Sequence, residues 1–351
     1  MTQPEANDPV ADEDKLFVAK LPNVKPLANL LRAVQFKEKA TCHLLPEGLR
    51  IVVEDSRCVQ ATAWLQKELF SQYELRPQDD GNAIEYDHVF MISLTALLEC
   101  LNIFGNATGA ISTSQAAGSG SASAGNGSTV GFARSFTVMK MSYDGPGSAL
   151  ELMLEDSGVI TLCKITTFEP EPELDFDFNS TPSVQRVIMK SEWLRDAFNE
   201  LDSTSDRVTF LISPERPFFR LSSFGVAGST EMDYPKDTDV LESFYCTAIA
   251  QHSYRFSLIQ HCLKALNASK KSSIRTNERG FMSMQVRTWD EWRREVCARD
   301  YAIIFTYRLS DVSLTINSIT SHMQFMIPTT DTLTSFVTFL VRECDAYFEF
   351  W

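Results

Sequence analysis

At 351 residues, 44% of them hydrophobic, the chain is long enough for two domains, or one large one, with a substantial core. Lys and Arg number 32 against 46 for Asp and Glu, a formal charge of −14, which excludes a protein that grips nucleic acid by its general surface and confines any such contact to a local basic strip. No apolar run approaches the roughly 18 residues of a membrane span, and no charged-then-apolar signal opens the chain, so a soluble intracellular protein without a membrane partner is expected.

Residues 1–14 are acidic and poor in aromatics and read as a disordered tail. From residue 24 the pattern is helical: Pro26 suits a first turn, Leu27, Leu30, Leu31 and Val34 follow the 0, 3, 4, 7 rule, and Lys25, Asn29, Arg32 and Lys39 are assigned to the other face. Residues 40–66 read as three antiparallel strands, with Pro46-Glu47-Gly48 turning between the first two. A second helix follows, capped by Ser93, with Leu94, Leu97, Leu98 and Leu101 inward and Gly105 as its stop. Residues 107–131, rich in Gly, Ser, Ala and Thr, read as a flexible excursion; no GKS or GKT follows, so they are not a phosphate loop. Strands are predicted at 136–143, 150–155 and 159–166. The acidic, proline-marked stretch 168–182 then reads as a connector between a domain over 15–167 and one over 183–351.

After the connector the pattern repeats. Ser191 is the expected cap of a third helix, with Leu194, Ala197, Phe198 and Leu201 inward and Glu192, Arg195, Asn199 and Asp202 outward. Strands follow at 208–212, 218–224 and 229–234. Ser257 is the expected cap of a fourth helix, with Ile259, Cys262, Leu263 and Leu266 inward and Gln260, His261, Lys264, Asn267 and Lys271 outward, and strands return at 272–276 and 280–285. The chain therefore reads as an α+β duplication, each half laying two helices on one face of an antiparallel sheet.

Chemistry is sparse. The 8 cysteines are scattered without a CxxC pair and read as reduced packing residues, with no zinc site. His43, His88, His252, His261 and His322 lack metal-ligand spacing, and no GxSxG elbow is present. Metal-dependent nucleic-acid hydrolysis would need carboxylates converging on two ions. Glu54 with Asp55, or Asp175 with Asp177, are the candidate pairs, and neither brings further ligands. No catalytic residue, metal or cofactor is expected.

The words KPLANLLRAVQFKEKATCHLLPEGLRIVVEDSRCVQATAWLQ, SLTALLECLNIFG, VITLCKI, EPELDFDF, FRLSSFGVAGSTEMDYPKDTDVLESF and SIRTNERGF resemble the Rad-one family, subunits of the nine-one-one DNA-damage checkpoint clamp. The resemblance spans about residues 16–285. It implies a DNA-clamp (PCNA-like) fold, and a nuclear heterotrimeric ring with the Rad-nine and Hus-one subunits. It also implies loading by a clamp loader onto double-stranded DNA without regard to sequence, and work with repair and checkpoint proteins. The family has also been discussed as a 3′ to 5′ exonuclease, which stands as the alternative. In a ring of such halves the helices would face the duplex and touch phosphates without reading bases. The implied DNA-facing strip is Lys25, Arg32, Lys37, Lys39, Arg195, Lys264, Lys270 and Lys271. The resemblance places the ring-closing edges at 159–166 and 229–234, and partner contacts at Phe168, Phe176 and Phe178 of the connector, with docking onto the sheet as the alternative for Phe176 and Phe178.

The resemblance breaks at residues 286–324. The family pattern would run from GFMSMQ into FMIP, which here begins at Phe325. Val286-Arg287 back-translates to a splice donor, Leu314-Thr315 to a branch site and Gln324 to an acceptor, so the segment reads either as a translated intron or as a genuine insertion.

Overall fold

Hydrophobic spacing in this sequence resolves into two halves of one topology, seen here in a computed structural model. It describes residues 15–79, 84–85, 88–105, 136–173, 178, 183–237, 239–277, 279–288, 301–307 and 340–341. The first half runs β1 (Phe17–Leu21), α1 (Lys25–Val34), β2 (Lys39–Leu45), β3 (Gly48–Asp55), β4 (Val59–Gln66), β5 (Gln72–Leu75), β6 (Gln78–Asp79), β7 (Ile84–Glu85), β8 (His88–Ser93), α2 (Leu94–Leu101), β9 (Val138–Tyr143), β10 (Leu150–Asp156), β11 (Val159–Ile165) and β12 (Thr167–Phe168). The second runs β13 (Ser183–Lys190), α3 (Ser191–Glu200), β14 (Arg207–Ile212), β15 (Phe219–Gly225), β16 (Gly228–Tyr234), β17 (Leu241–Cys246), β18 (Ala250–Arg255), α4 (Phe256–Ile259), α5 (Leu263–Asn267), β19 (Ser269–Asn277), β20 (Met282–Thr288), β21 (Tyr301–Tyr307) and β22 (Leu340–Val341).

The helices form where the periodicity puts them. Pro26 lies in the first turn of α1, whose Leu27, Leu30, Leu31 and Val34 are buried. The Ser93 side chain caps α2 by accepting from the Ala96 N–H at 3.2 Å, and Leu94, Leu97, Leu98 and Leu101 are all buried. α1 lies over β4, where Ala61 and Ala63 leave room for a helix to approach the sheet. α2 touches β2, β8 and β11, α3 touches β13 and β19, and α5 touches β19 and β20. Because α2 packs on α1, α1 on α5 and α5 on α3, all four helical stretches form one row.

The pairing shows the duplication strand by strand. One sheet of the first half has the order β11-β10-β9-β1-β5, and its counterpart in the second half is β21-β20-β19-β13-β17. The meander β4-β3-β2-β8 corresponds likewise to β16-β15-β14-β18. Each half thus has two sheets rather than the single one expected, because β1 and β13 each open a sheet separate from the meander that follows. The halves join where β4 pairs with β21, Trp64 opposite Ala302 through Val59 opposite Tyr307, in an 11-stranded sheet. This leaves β11 and β16 as sheet edges. They are the topological counterparts of β21 and β4.

Several expectations are corrected. Ser191 is not a cap: it is the first residue of α3, fully buried, and its hydroxyl lies 2.7 Å from those of Ser272 and Ser269. Ser257 lies inside α4, after Arg255 at the N-cap. The fourth helix is broken by a 3-10 turn at Gln260–Cys262 and ends at Asn267, so Lys270 and Lys271 belong to β19. β21 comes from the segment 286–324, so in this chain that segment supplies the strand joining the two halves. The tail 1–14, the stretch 107–131 and Phe176 lie outside the described residues.

Candidate functional site

The helical row carries fewer unopposed cations than the sequence promised. Lys25 and Arg32 are on α1, where the Arg32 guanidinium donates to Asn29 Oδ1 at 3.0 Å. Lys264 is on α5 and its ammonium donates to the Gln35 carbonyl at 3.1 Å, tying the second half to the end of α1. Lys264 thus stands at the seam between the halves, with Arg32 in the last turn of α1 and Lys25 at its start. On α3, Arg195 pairs with Asp196 at 2.8 Å, and Glu192, Asp196 and Glu200 are exposed beside it. That helix face is acidic. The open groove of about 670 Å³ between α1 and α2 also mixes signs, with Lys37 and Lys264 against Glu38 and Glu99.

The other predicted cations lie elsewhere. Lys37 pairs with Asp55 at 2.8 Å. Lys39 opens β2, with its ammonium 5.1 Å from the Phe168 ring centre. Lys271 pairs with Glu242 of β17 at 2.6 Å. Its alternation with Ser272 and Ile274, which are buried on the helix side, turns it to the opposite face of the sheet. Lys270 is exposed at the start of β19. The structure therefore keeps Lys25, Arg32 and Lys264 on the helical row, leaves Arg195 neutralised, and takes Lys39 and Lys271 off the helical face. Periodicity could not have shown this, because it assigns faces within an element and not the partners that another element brings.

At the seam, the His261 ring stacks on Phe36, centroids 4.6 Å apart at 16°, and its Nε2 lies 3.7 Å from Asp55 Oδ2. The sequence placed His261 outward; the second half in fact buries it against the first. Burial holds its pKa below the usual 6.5, with Asp55 opposing that shift. Burial raises the Asp55 pKa, but hydrogen bonds from Lys37 and Ser56 outweigh it and hold the carboxyl below 3.8. The two titrations occupy different windows. A histidine whose folded pKa is lowered leaves the unfolded chain binding more protons, so its contribution is full above about pH 6.5 and is lost as pH falls through the folded value. The Asp55 contribution is lost only below 3.8, as pH falls through its own folded value. We expect unfolding monitored between about pH 7 and pH 5 to show stability falling with pH, and His261→Phe, which keeps the stack, to flatten that slope. An unchanged slope would remove His261 as its cause.

On the face of the large sheet away from the helices, the connector is tied down. Register sets His43, Arg50 and Trp64 side by side on β2, β3 and β4. Glu173 accepts from Arg50 at 2.9 Å and lies 3.2 Å from His43 Nε2. Arg50 also sits 5.9 Å from the Trp64 ring centre. Phe168 is 44% exposed and Phe178 only 8%, so Phe168 remains available to a partner while Phe178 is docked within the chain. For Phe178 this is the docking alternative.

The candidate catalytic pair fails on geometry. Glu54 and Asp55 are neighbours on a strand and so point to opposite faces. Glu54 accepts from Gln60 at 2.7 Å, while Asp55 faces Lys37 and His261. Asp175 and Asp177 lie outside the described residues. Among the described residues no three His, Cys, Asp or Glu side chains converge to hold a metal ion. Burial pushes the Cys42 thiol up to about 12, so it stays neutral and packs.

Comparison with known proteins adds the following. The family model described as "Repair protein Rad1/Rec1/Rad17" matches residues 16–288. The chain is 40% identical over 294 residues to the cell cycle checkpoint protein RAD1 of Homo sapiens, covering 83% of this chain and 93% of that one. It is 33% identical over 274 residues to the DNA damage checkpoint control protein rad1 of Schizosaccharomyces pombe, covering 77% and 81%. Among solved structures, PCNA from Thermococcus kodakaraensis aligns over 83% of this chain and 99% of its own, with a TM-score of 0.58 at 17% identity.

Proposed function

The chain belongs to the Rad1/Rec1/Rad17 family of repair proteins and has the PCNA-like clamp fold, and from that premise we propose that it is a non-catalytic subunit of a nuclear, heterotrimeric DNA sliding clamp serving damage checkpoint signalling and repair. Its relatives' names supply the process. The observation that carries the assembly is topological. Within the chain the halves join by β4 pairing with β21, and β16 and β11, each at the edge of its sheet, are the counterparts of those strands. A neighbour of the same fold can pair with each edge as the halves pair with one another. Such head-to-tail contacts close a ring when the rotation closes. Two different neighbours, the Rad-nine and Hus-one subunits, would complete it, with a clamp loader opening it around DNA.

The helical row then faces the duplex, and Lys25, Arg32 and Lys264 are its phosphate contacts. Three contacts make a weak, sliding hold rather than a grip, with a salt slope to match. The test is co-expression with the two partner subunits, size measurement, and loading onto a gapped circular template. A stable three-chain assembly retained on the circle is expected, and a monomer that ignores both partners would overturn the proposal. Within the loaded clamp, reversing all three charges to Glu should shorten retention at low salt. Equal retention would remove the strip. Hydrolysis of the template that depends on Mg²⁺ and is lost in Glu54→Gln or Asp55→Asn would favour the exonuclease reading instead.

We also propose that residues 286–324 are a translated intron. The family match stops at residue 288. Joined directly, Phe325 would continue β20 after Gln285, and the apolar run leading to Val341 would take the place of β21. Leu340–Val341 already lies beside β20, with Val341 opposite Met282. Transcripts joining Gln285 to Phe325 are expected. Peptides from inside the segment, recovered from the native protein, would overturn this.

A further inference from the structure

One face of the second half holds charge that neither the ring nor the helical row uses. In β13, β19 and β20 the side chains turned toward the helices are buried, among them Val187, Met189, Ile274, Met284 and Val286. The alternate residues therefore share the opposite face. There Arg186 stands directly across from Arg275, and Arg275 from Ser283. One step along, Ser273 stands across from Gln285. Residues so opposed on antiparallel strands bring their Cβ atoms to about 4.5–5.5 Å, where like charges destabilise the pair.

The sheet does not relieve this. Among the described residues no carboxylate pairs with Arg186 or Arg275. Arg275 Nε, Ser273 Oγ, Ser283 Oγ and Gln285 Oε1 are buried with no hydrogen-bond partner. Ser273 is 6% exposed and Ser283 fully buried. Burial, and then the neighbouring Arg186, hold the Arg275 pKa below its usual value. In a chain of net charge −14, two adjacent arginines with no counterion among the described residues, set among unsatisfied hydroxyls, mark a place suited to an anionic partner. Most buried polar groups in native proteins are satisfied.

We propose that this patch binds a phosphorylated segment of a partner protein, with the phosphate of a phosphoserine or phosphothreonine between Arg186 and Arg275. Two guanidiniums call for a ligand of about −1.5 to −2 charge with several acceptor oxygens, which a phosphomonoester supplies and a single carboxylate does not. The Gln285 amide can turn to offer either its oxygen or its nitrogen to the peptide. On the proposed function, DNA lies along the helical row, on the other side of the sheet, so this patch is left to a partner protein. The half-exposed Tyr245, across from Arg186 on β17, gives the peptide an apolar flank.

The test uses the full chain alone, so its outcome does not depend on ring assembly. Fluorescence anisotropy would follow a short labelled Gly-Ser peptide carrying one phosphoserine, beside its unphosphorylated and aspartate twins. Binding of the phosphorylated peptide only is expected, weakened about tenfold or more by Arg186→Gln and unchanged by Lys67→Gln on a remote turn. Arg275→Gln should act in the same direction; Arg186, being exposed, gives the variant that keeps the fold. Equal binding to Arg186→Gln, or equal binding of the aspartate twin, overturns the proposal. So does a wild-type chain that binds no peptide while Asp175→Asn/Asp177→Asn does, because the occupant would then be the chain's own connector.

Discussion

Ile160→Asp/Leu162→Asp is expected to leave the chain folded and to abolish its pairing with the subunit at the β11 edge, so that the three-chain ring no longer closes. Ile160 and Leu162 are 62% and 54% exposed on β11, and Val159 beside them is 58% exposed. Ile160 and Leu162 share one face of β11, while Ile165, on the other face at the inner end, is buried. Their removal therefore costs the lone chain little. Burying each against a neighbour is worth about 2 kcal/mol, so losing both costs about 4 kcal/mol, on the order of a thousandfold in affinity, before the cost of burying two carboxylates is counted. Sedimentation of the co-expressed subunits would read the loss, with circular dichroism confirming the fold. An intact three-chain assembly would mean that β11 is not a ring-closing edge.

Gly48→Ala should be the most damaging single substitution to the fold. Gly48 starts β3 at φ +147, and a Cβ there would lie 2.1 Å from the Leu65 carbonyl oxygen of the adjoining strand. Both the backbone conformation and the contact forbid a side chain, and the obstacle is backbone that cannot swing aside. The shift would reach Leu49, Ile51 and Val53, which are buried in the core. We expect a loss of about 4 kcal/mol, a large share of the roughly 5–15 kcal/mol that holds a domain together. Gly158→Ala is the control: its φ is +81, yet nothing lies within 4 Å, so only the conformational cost of about 1 kcal/mol applies. Equal urea midpoints for the two variants would show that the contact at Gly48 is tolerated.

What could be read from the sequence divides by range. α1 and α2 were legible because their apolar positions recur every three or four residues and Ser93 does cap. The strands β3 and β10 were legible because alternation survives where one face is wetter than the other. β17 and β18 were missed: mixed polar residues such as Glu242, Ser243, Gln251 and Ser253 hide their pairing with β13 and β14. Ser191 misled because a serine before a helix looks the same whether its hydroxyl caps the backbone or meets Ser272 and Ser269. For the sites, the sequence offered charges without partners. It gave no sign that Asp196 silences Arg195, or that His261 turns inward onto Phe36. Arg186 and Arg275 are far apart in the chain, and only strand register makes them neighbours.

The exposed strip on β11 also bears on how the cell must keep this protein. A copy made in excess of its neighbours presents Val159, Ile160 and Leu162, on a strand with open backbone groups, to any other edge it meets. Its survival would then depend on the supply of companions, tying its steady-state abundance to theirs through degradation of the surplus rather than through its own rate of synthesis.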